Sequence, residues 1–242
     1  MKVLAIGNSF SEDATRYLHD IARADGEKIE VTNLYIGGCS LERHYRNMLG
    51  NKREYGLQYN GHITGFFVTL EEALLSRDWD VITLQQASHF SFRKESYVPY
   101  IFALADYVRE CAPKAKLLIH QTWAYEDGST RLAEVAGYDT AAHMFADIQS
   151  AYAQISAEIN ADGIIPSGHL FRNMLENGIP KIHRDTFHAS KGLGRYALGL
   201  LWYRMLTGNR VADNTFRDFD EPISEEEILI AKSCVDAFAS TQ

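Results

Sequence analysis

The chain has 242 residues, 46% of them hydrophobic and 23% charged, which is enough for a sizeable core and ordinary for a globular protein. Its formal net charge of −8, with no basic cluster to offset it, excludes a nucleic-acid or anionic-membrane partner. No stretch is long and apolar enough to cross a membrane, and Cys39, Cys111 and Cys234 are too scattered for a disulfide framework or a CxxC metal site.

Met1-Lys2 leads straight into an apolar run without a secretory hydrophobic region. The chain therefore reads as cytoplasmic as written, or as exported where a signal peptide has been removed. Apolar runs of strand length alternate with helical patterns along it, which predicts an α/β protein with a parallel sheet wrapped by helices. The predicted strands are 2–6, 29–35, 80–84, 116–121 and 163–166. The predicted helices are 14–24, 41–49, 70–77, 98–111, 141–160, 168–177, 190–206 and 225–238. Thr69 with Glu72 forms a capping-box signal, Ser224 precedes three glutamates, and Gly208 follows the helix that ends at Leu206. Two segments break the rhythm. Residues 54–68 hold an Asn60-Gly61 turn between aromatic runs and predict an inserted β-hairpin. Residues 122–138 form a loop after the fourth strand, where Trp123 and Tyr125 are candidate pocket aromatics. No linker or repeat is visible, so 1–242 is expected to be a single domain.

The first turn carries the main chemical signal. Gly7-Asn8-Ser9 follows the first strand, at the edge where open α/β sheets place their ligands. A lone serine hydroxyl needs a positioned base to act as a nucleophile. Ser11 is the better helix cap, which leaves Ser9 free for that role. Asp185-Thr186-Phe187-His188 supplies a base and its orienting carboxylate in the chain order Ser, Asp, His. His183 and Asp139 could fill the same roles but lack a comparable pairing. An oxyanion needs donors: the Ser9 amide is one, Gly37 or Gly38 after the second strand another, and a side-chain amide of Gln85 or Gln86 a third.

Gly7-Asn8-Ser9, Gly38, the Gln85-Gln86 strand end and Asp185-x-x-His188 resemble, in order, the four sequence blocks of the SGNH hydrolases, or GDSL-type esterases and lipases. The resemblance spans nearly the whole chain. It implies a flavodoxin-like three-layer α/β/α sandwich with a five-stranded sheet ordered 2-1-3-4-5. It also implies Ser9 as nucleophile, the Ser9 and Gly38 amides as oxyanion donors, and Asp185 with His188 completing the triad. Two blocks depart from the pattern. Asn8 stands where aspartate is usual, and the third block lacks its asparagine, with Gln86 or Gln85 as the substitute. The Gln-Gln-x-Ser and Gln-Thr-Trp segments resemble an uncharacterised bacterial branch near carbohydrate esterases, implying deacetylation of a sugar.

The expected activity is hydrolysis of a short-acyl ester of a small molecule or carbohydrate through an acyl-enzyme, without a cofactor. Trp123, Tyr125 and His89 are the expected substrate contacts, with the hairpin aromatics beside them. The competing readings are a metal-dependent hydrolase on His183, Asp185 and His188, a thiol nucleophile at Cys39, and a non-catalytic ester- or sugar-binding relic.

Overall fold

The computed structural model describes residues 1–238. Its centre is one seven-stranded sheet in the order β4-β3-β2-β1-β5-β6-β7. The strands are β1 Lys2–Gly7, β2 Glu30–Tyr35, β3 Tyr55–Tyr59, β4 His62–Val68, β5 Val81–Leu84, β6 Lys116–His120 and β7 Gly163–Ile165. β1, β2, β5, β6 and β7 run parallel, in the flavodoxin-like order expected for five strands. The hairpin differs from expectation in one respect. It is continuous with the main sheet, because β3 pairs antiparallel with β2 and so widens the sheet by two strands. Asn60 and Gly61 both have positive φ, 49° and 80°, as a tight hairpin turn of this sequence requires.

Both faces of the sheet are covered, so the central strands are apolar on both sides and show no alternation. Val3 and Ala5 point into one core, against α1 Ser9–Thr15, α2 Leu18–Ala24, α7 Ser167–Glu176, α8 Leu193–Thr207 and α9 Glu225–Asp236. Leu4 and Ile6 point into the other, against α3 Leu41–Leu49, α4 Leu70–Leu75, α5 Tyr100–Cys111 and α6 Ala141–Glu158. α8 packs on α1, α2, α7 and α9 together, which is why its sequence is apolar nearly all round. Both capping boxes form, at Thr69–Glu72 and Ser224–Glu227.

The first helix starts earlier than its sequence suggests. Asn8, rather than Ser11, is the N-cap, its Oδ1 accepting from Phe10 N at 3.0 Å. Ser11 Oγ instead donates to Asn8 O and Asn33 Oδ1. Parallel register then assembles the site edge: Gly7 lies beside Tyr35, and Ile6 beside Leu84. The turns after β1, β2 and β5 therefore emerge side by side.

Candidate active site

Ser9 is the first residue of α1, so its backbone amide belongs to the helical turn that lacks intrahelical acceptors. Its Oγ lies 2.8 Å from His188 Nε2. His188 Nδ1 lies 2.8 Å from Asp185 Oδ2, and the His188 backbone N–H donates to Asp185 Oδ1 at 2.9 Å. A carboxylate can only accept from Nδ1, so that nitrogen carries the proton and Nε2 is left to accept from the serine hydroxyl. Burial would raise the Asp185 carboxyl, but the side-chain and backbone hydrogen bonds from His188 outweigh it and hold the group below its ordinary value. Asp185 is thus ionised wherever the imidazole is needed as a base.

The loop carrying these residues is tied down at almost every position. Arg184 N donates to His188 O, closing the turn, and Glu126 N and Trp123 Nε1 donate to the carbonyls of Thr186 and Phe187. Arg184 Nη1 binds both oxygens of Asp13, a fully buried carboxylate of α1, at 2.9 and 3.0 Å, and also reaches Ala189 O. Asp13 accepts in turn from Arg195 Nε of α8 at 2.8 Å, and Arg195 and Arg16 share Asp220. Phe187 stacks on His188 with ring centroids 3.8 Å apart.

Ile36 to Cys39 form a turn closed by Cys39 N→Ile36 O at 3.1 Å, with Gly38 at φ +61°. The left-handed conformation is what glycine supplies there. Among the described residues the Gly38 N–H donates to no protein acceptor. Ser9, Gly38, Ser88, His89 and His188 line one cavity of about 400 Å³.

Neither glutamine faces it. Gln85 is buried, with Nε2 donating to Asn8 Oδ1 at 2.8 Å and Oε1 accepting from His120 Nδ1 at 2.9 Å. Gln86 Nε2 donates to Ser96, and its Oε1 accepts from Leu41 N and Ala87 N. Both amides are consumed by the turns behind the site, which corrects the expectation of an amide oxyanion donor. The side chains beyond this strand end that do reach the cavity are His89 and Ser88, whose Oγ is 3.0 Å from Tyr125 OH.

What Gln85 does is visible beneath Ser9. Asn8 Nδ2 donates to Cys39 O at 3.0 Å, so Asn8 joins the serine turn to the Gly38 turn. Gln85 fixes Asn8, His120 fixes Gln85, and His120 Nε2 accepts from Ser167 Oγ at 3.0 Å. A Cβ on Gly7 would meet Ser11 Oγ at 2.6 Å and Gln85 Oε1 at 2.8 Å, so glycine is what lets this network close. Burial pushes His120 down to about 3, keeping it neutral.

Trp123 and Tyr125 are fully buried and so are not open aromatic platforms; Trp123 stacks on Phe10 at 4.1 Å. His89 does line the cavity. Phe66 and Phe67 of the hairpin are exposed and line a second, apolar cavity of about 410 Å³, which shares Glu12, Tyr35 and Gly37 with the first. His183 points away from His188, toward Ala124 O at 3.1 Å, and burial pushes it down to about 4. Among the described residues no three His, Cys, Asp or Glu side chains converge as metal ligands. Burial drives the Cys39 thiol up to about 12, so it is a packing residue rather than a nucleophile.

Over residues 2–237 the sequence matches the family described as a domain of unknown function, DUF4886. The chain belongs to that family. A crystal structure of a DUF4886 family protein from Bacteroides uniformis is similar at 33% identity and TM-score 0.87, covering 98% of this chain and 93% of that one. A protein from Slackia heliotrinireducens, provisionally described as an SGNH hydrolase, has 23% identity and TM-score 0.61, with coverage of 85% and 98%. An acetylxylan esterase from Geobacillus stearothermophilus has 16% identity and TM-score 0.51, with coverage of 84% and 90%. No curated protein matches the sequence. The DUF4886 chain therefore has the SGNH-hydrolase fold, with the hairpin added at one edge of its sheet. Among the described residues, no helix is long and apolar enough to span a membrane.

Proposed function

We propose that this protein is a serine esterase that removes short acyl groups, with an acetylated carbohydrate as the substrate to be tried first. The observation that carries the reading is the unbroken line Ser9 Oγ, His188 Nε2, His188 Nδ1, Asp185 Oδ2, with both contacts at 2.8 Å, opening into a cavity. His188 takes the Ser9 proton as Ser9 attacks the ester carbonyl, then gives it to the leaving alcohol. Water attacks the acyl-enzyme with His188 again as base. The Ser9 and Gly38 amides hold the oxyanion, and Ser88 Oγ, backed by Tyr125, takes the position the glutamines leave.

A cavity of about 400 Å³ suits a short acyl chain, and the similar acetylxylan esterase makes acetylated sugars the natural first choice. The aromatic surface for a sugar ring then comes from Phe66 and Phe67 beside the cavity rather than from Trp123 and Tyr125.

Hydrolysis of p-nitrophenyl acetate to octanoate by the wild type, Ser9→Ala and His188→Ala, with and without EDTA, tests this. Acetate should be preferred, EDTA should change nothing, and either substitution should lower kcat by about 10⁴-fold or more. Turnover that survives Ser9→Ala but not EDTA would sink the proposal.

A further inference from the structure

Besides the triad, Glu12, Tyr35, His89, Arg131 and Arg184 are the charged or ionisable side chains that reach the Ser9 cavity, and they are not equivalent. Glu12, on the α1 wall, accepts from Gln58 Nε2 at 2.7 Å. Arg184 is engaged by the buried Asp13, which it shares with Arg195. His89 is held below its ordinary value by burial first and then by the charges of Arg131 and Arg93. Arg131 is the exception. It lines the cavity, and among the described residues it forms no ion pair with a carboxylate.

Its position is nevertheless defined. The guanidinium carbon sits 3.6 Å from the centroid of the Phe187 ring and 5.6 Å from that of Tyr125. Cation–π contact with the two rings and a hydrogen bond to the Tyr125 hydroxyl hold the group in place and leave its remaining N–H donors for a ligand. Phe187 in turn stacks on His188, so the guanidinium lies one aromatic ring away from the imidazole that protonates the leaving alcohol. The acidic wall is that of Glu12, and the basic one is next to the base.

We infer that Arg131 is a recognition site for a carboxylate on the alcohol portion of the ester, so that the substrate is an acylated hydroxy acid such as a sugar acid. This rests on the esterase reading of the same cavity. The flat fork of arginine pairs with a carboxylate through two parallel hydrogen bonds. Glu12, which also lines the cavity, disfavours a carboxylate placed beside it.

The test is a matched pair of acetates, 4-acetoxybenzoate and 4-acetoxybenzamide, with wild type, Arg131→Gln and Arg131→Lys. The ratio of kcat/KM for the charged over the neutral ester should fall by about tenfold or more in Arg131→Gln, mostly through KM, and recover in part in Arg131→Lys. If Arg131 only presses Phe187 onto His188, both esters lose alike and the unchanged ratio overturns the inference while the esterase stands. A preference for p-nitrophenyl hemisuccinate over butyrate, with none among the acetates, would overturn the placement on the alcohol side. Calorimetric binding of 4-hydroxybenzoate and 4-hydroxybenzamide to Ser9→Ala, with and without Arg131→Gln, decides the matter even for a protein that hydrolyses neither acetate. Carboxylate-selective binding lost with Arg131 supports the subsite; equal or absent binding overturns it.

Discussion

Two polar networks hold the two halves of the site, and they are built from opposite materials. The Ser9 arm is neutral: Asn8, Gln85, His120 and Ser167 are joined by hydrogen bonds in a fully packed interior. The base arm is ionic: Asp13, Arg184, Arg195, Asp220 and Arg16 tie the Asp185–His188 loop to α1 and α8. Neutral groups can be buried completely when every donor finds an acceptor, whereas charges need partners and some access to water. That matches what is seen, since Asp13 is buried but Arg184 and Arg195 keep 23% and 13% of their side chains exposed. The neutral arm sets the serine and oxyanion turns rigidly; the ionic arm docks a loop that arrives from far along the chain.

The sharpest way to break the comparison is Asp13→Asn. It leaves two guanidinium groups without their shared carboxylate, and breaking a buried pair from one side costs about 3–5 kcal/mol. The urea midpoint should fall accordingly and kcat with it, because Arg184 no longer anchors the turn before Asp185. An unchanged midpoint would mean that the loop is held by its backbone bonds alone.

Gln85→Leu is the corresponding cut in the neutral arm. It strands the His120 Nδ1–H and leaves Asn8 Oδ1 held by Phe10 N alone, a loss of about 1–3 kcal/mol. Since Asn8 joins the serine and Gly38 turns, kcat should drop by about tenfold or more with KM little altered. Loss of stability with kcat intact would make the network structural only.

Acid distinguishes the arms by a smaller amount. His120 is pushed by burial to about 3, against about 6.5 for an unfolded histidine. Below about pH 6.5 the unfolded chain therefore binds a proton that the folded chain refuses, and stability falls with pH. At about pH 5 this costs about 2 kcal/mol, and any folded value below about 4 gives the same result. His44, also pushed to about 3 by burial, adds to the slope from outside both arms. Asp220 behaves differently: burial raises it, but hydrogen bonds from Arg16 and Arg195 more than offset this and hold it below its ordinary value. Its stabilisation is present above the unfolded carboxylate value and disappears only as pH falls through the lowered one. The neutral arm should loosen first. Urea midpoints at about pH 7.5 and about pH 5 should converge in His120→Gln relative to wild type; an equal fall in both would refute the assignment.

The contrast also explains which features could be read from the sequence. The five parallel strands are apolar runs because both faces are buried, and the Asn60-Gly61 hairpin turn is a local signal. The two halves of the proposed triad are each a short motif, Gly7-Asn8-Ser9 and Asp185-x-x-His188, although 179 positions separate Ser9 from His188. The arms are long-range: Asn8 and Gln85 lie in recognisable blocks, but nothing in the sequence shows that they bond to each other or that His120 and Ser167 complete the network. Whether Gln85 and Gln86 face the cavity depends on how β5 ends, which period-two reasoning cannot decide, and both turn behind it. Trp123 and Tyr125 look like loop aromatics, yet the loop folds inward and Trp123 bonds to Phe187 O. Asp13 reads as a surface acid of a first helical turn until Arg184 and Arg195 reach it.

The smallest effect concerns backbone strain, and here too the arms differ. In the neutral arm the left-handed position is filled by Gly38, at φ +61°, where it costs little. In the ionic arm it is filled by Thr186, at φ +75°, between Asp185 and His188. A β-branched residue there is strained, and such strain persists only where surrounding contacts over-determine it. The Thr186 carbonyl accepts from Glu126 N at 2.8 Å, and the Arg184–Asp13 pair closes the other side, so the loop has the means. Thr186→Gly should remove the strain but add backbone freedom to the unfolded chain, for a net gain in stability below about 1 kcal/mol. The same freedom lets Asp185 and His188 drift, so kcat should fall two- to threefold, on the order of the geometric sensitivity expected of a triad. Combined with Asp13→Asn, the glycine should hurt more than it does alone, because the ionic arm is what holds the turn in place. Additive losses in the double variant would show that strain and anchor are independent, and that the arm docks the loop without shaping it.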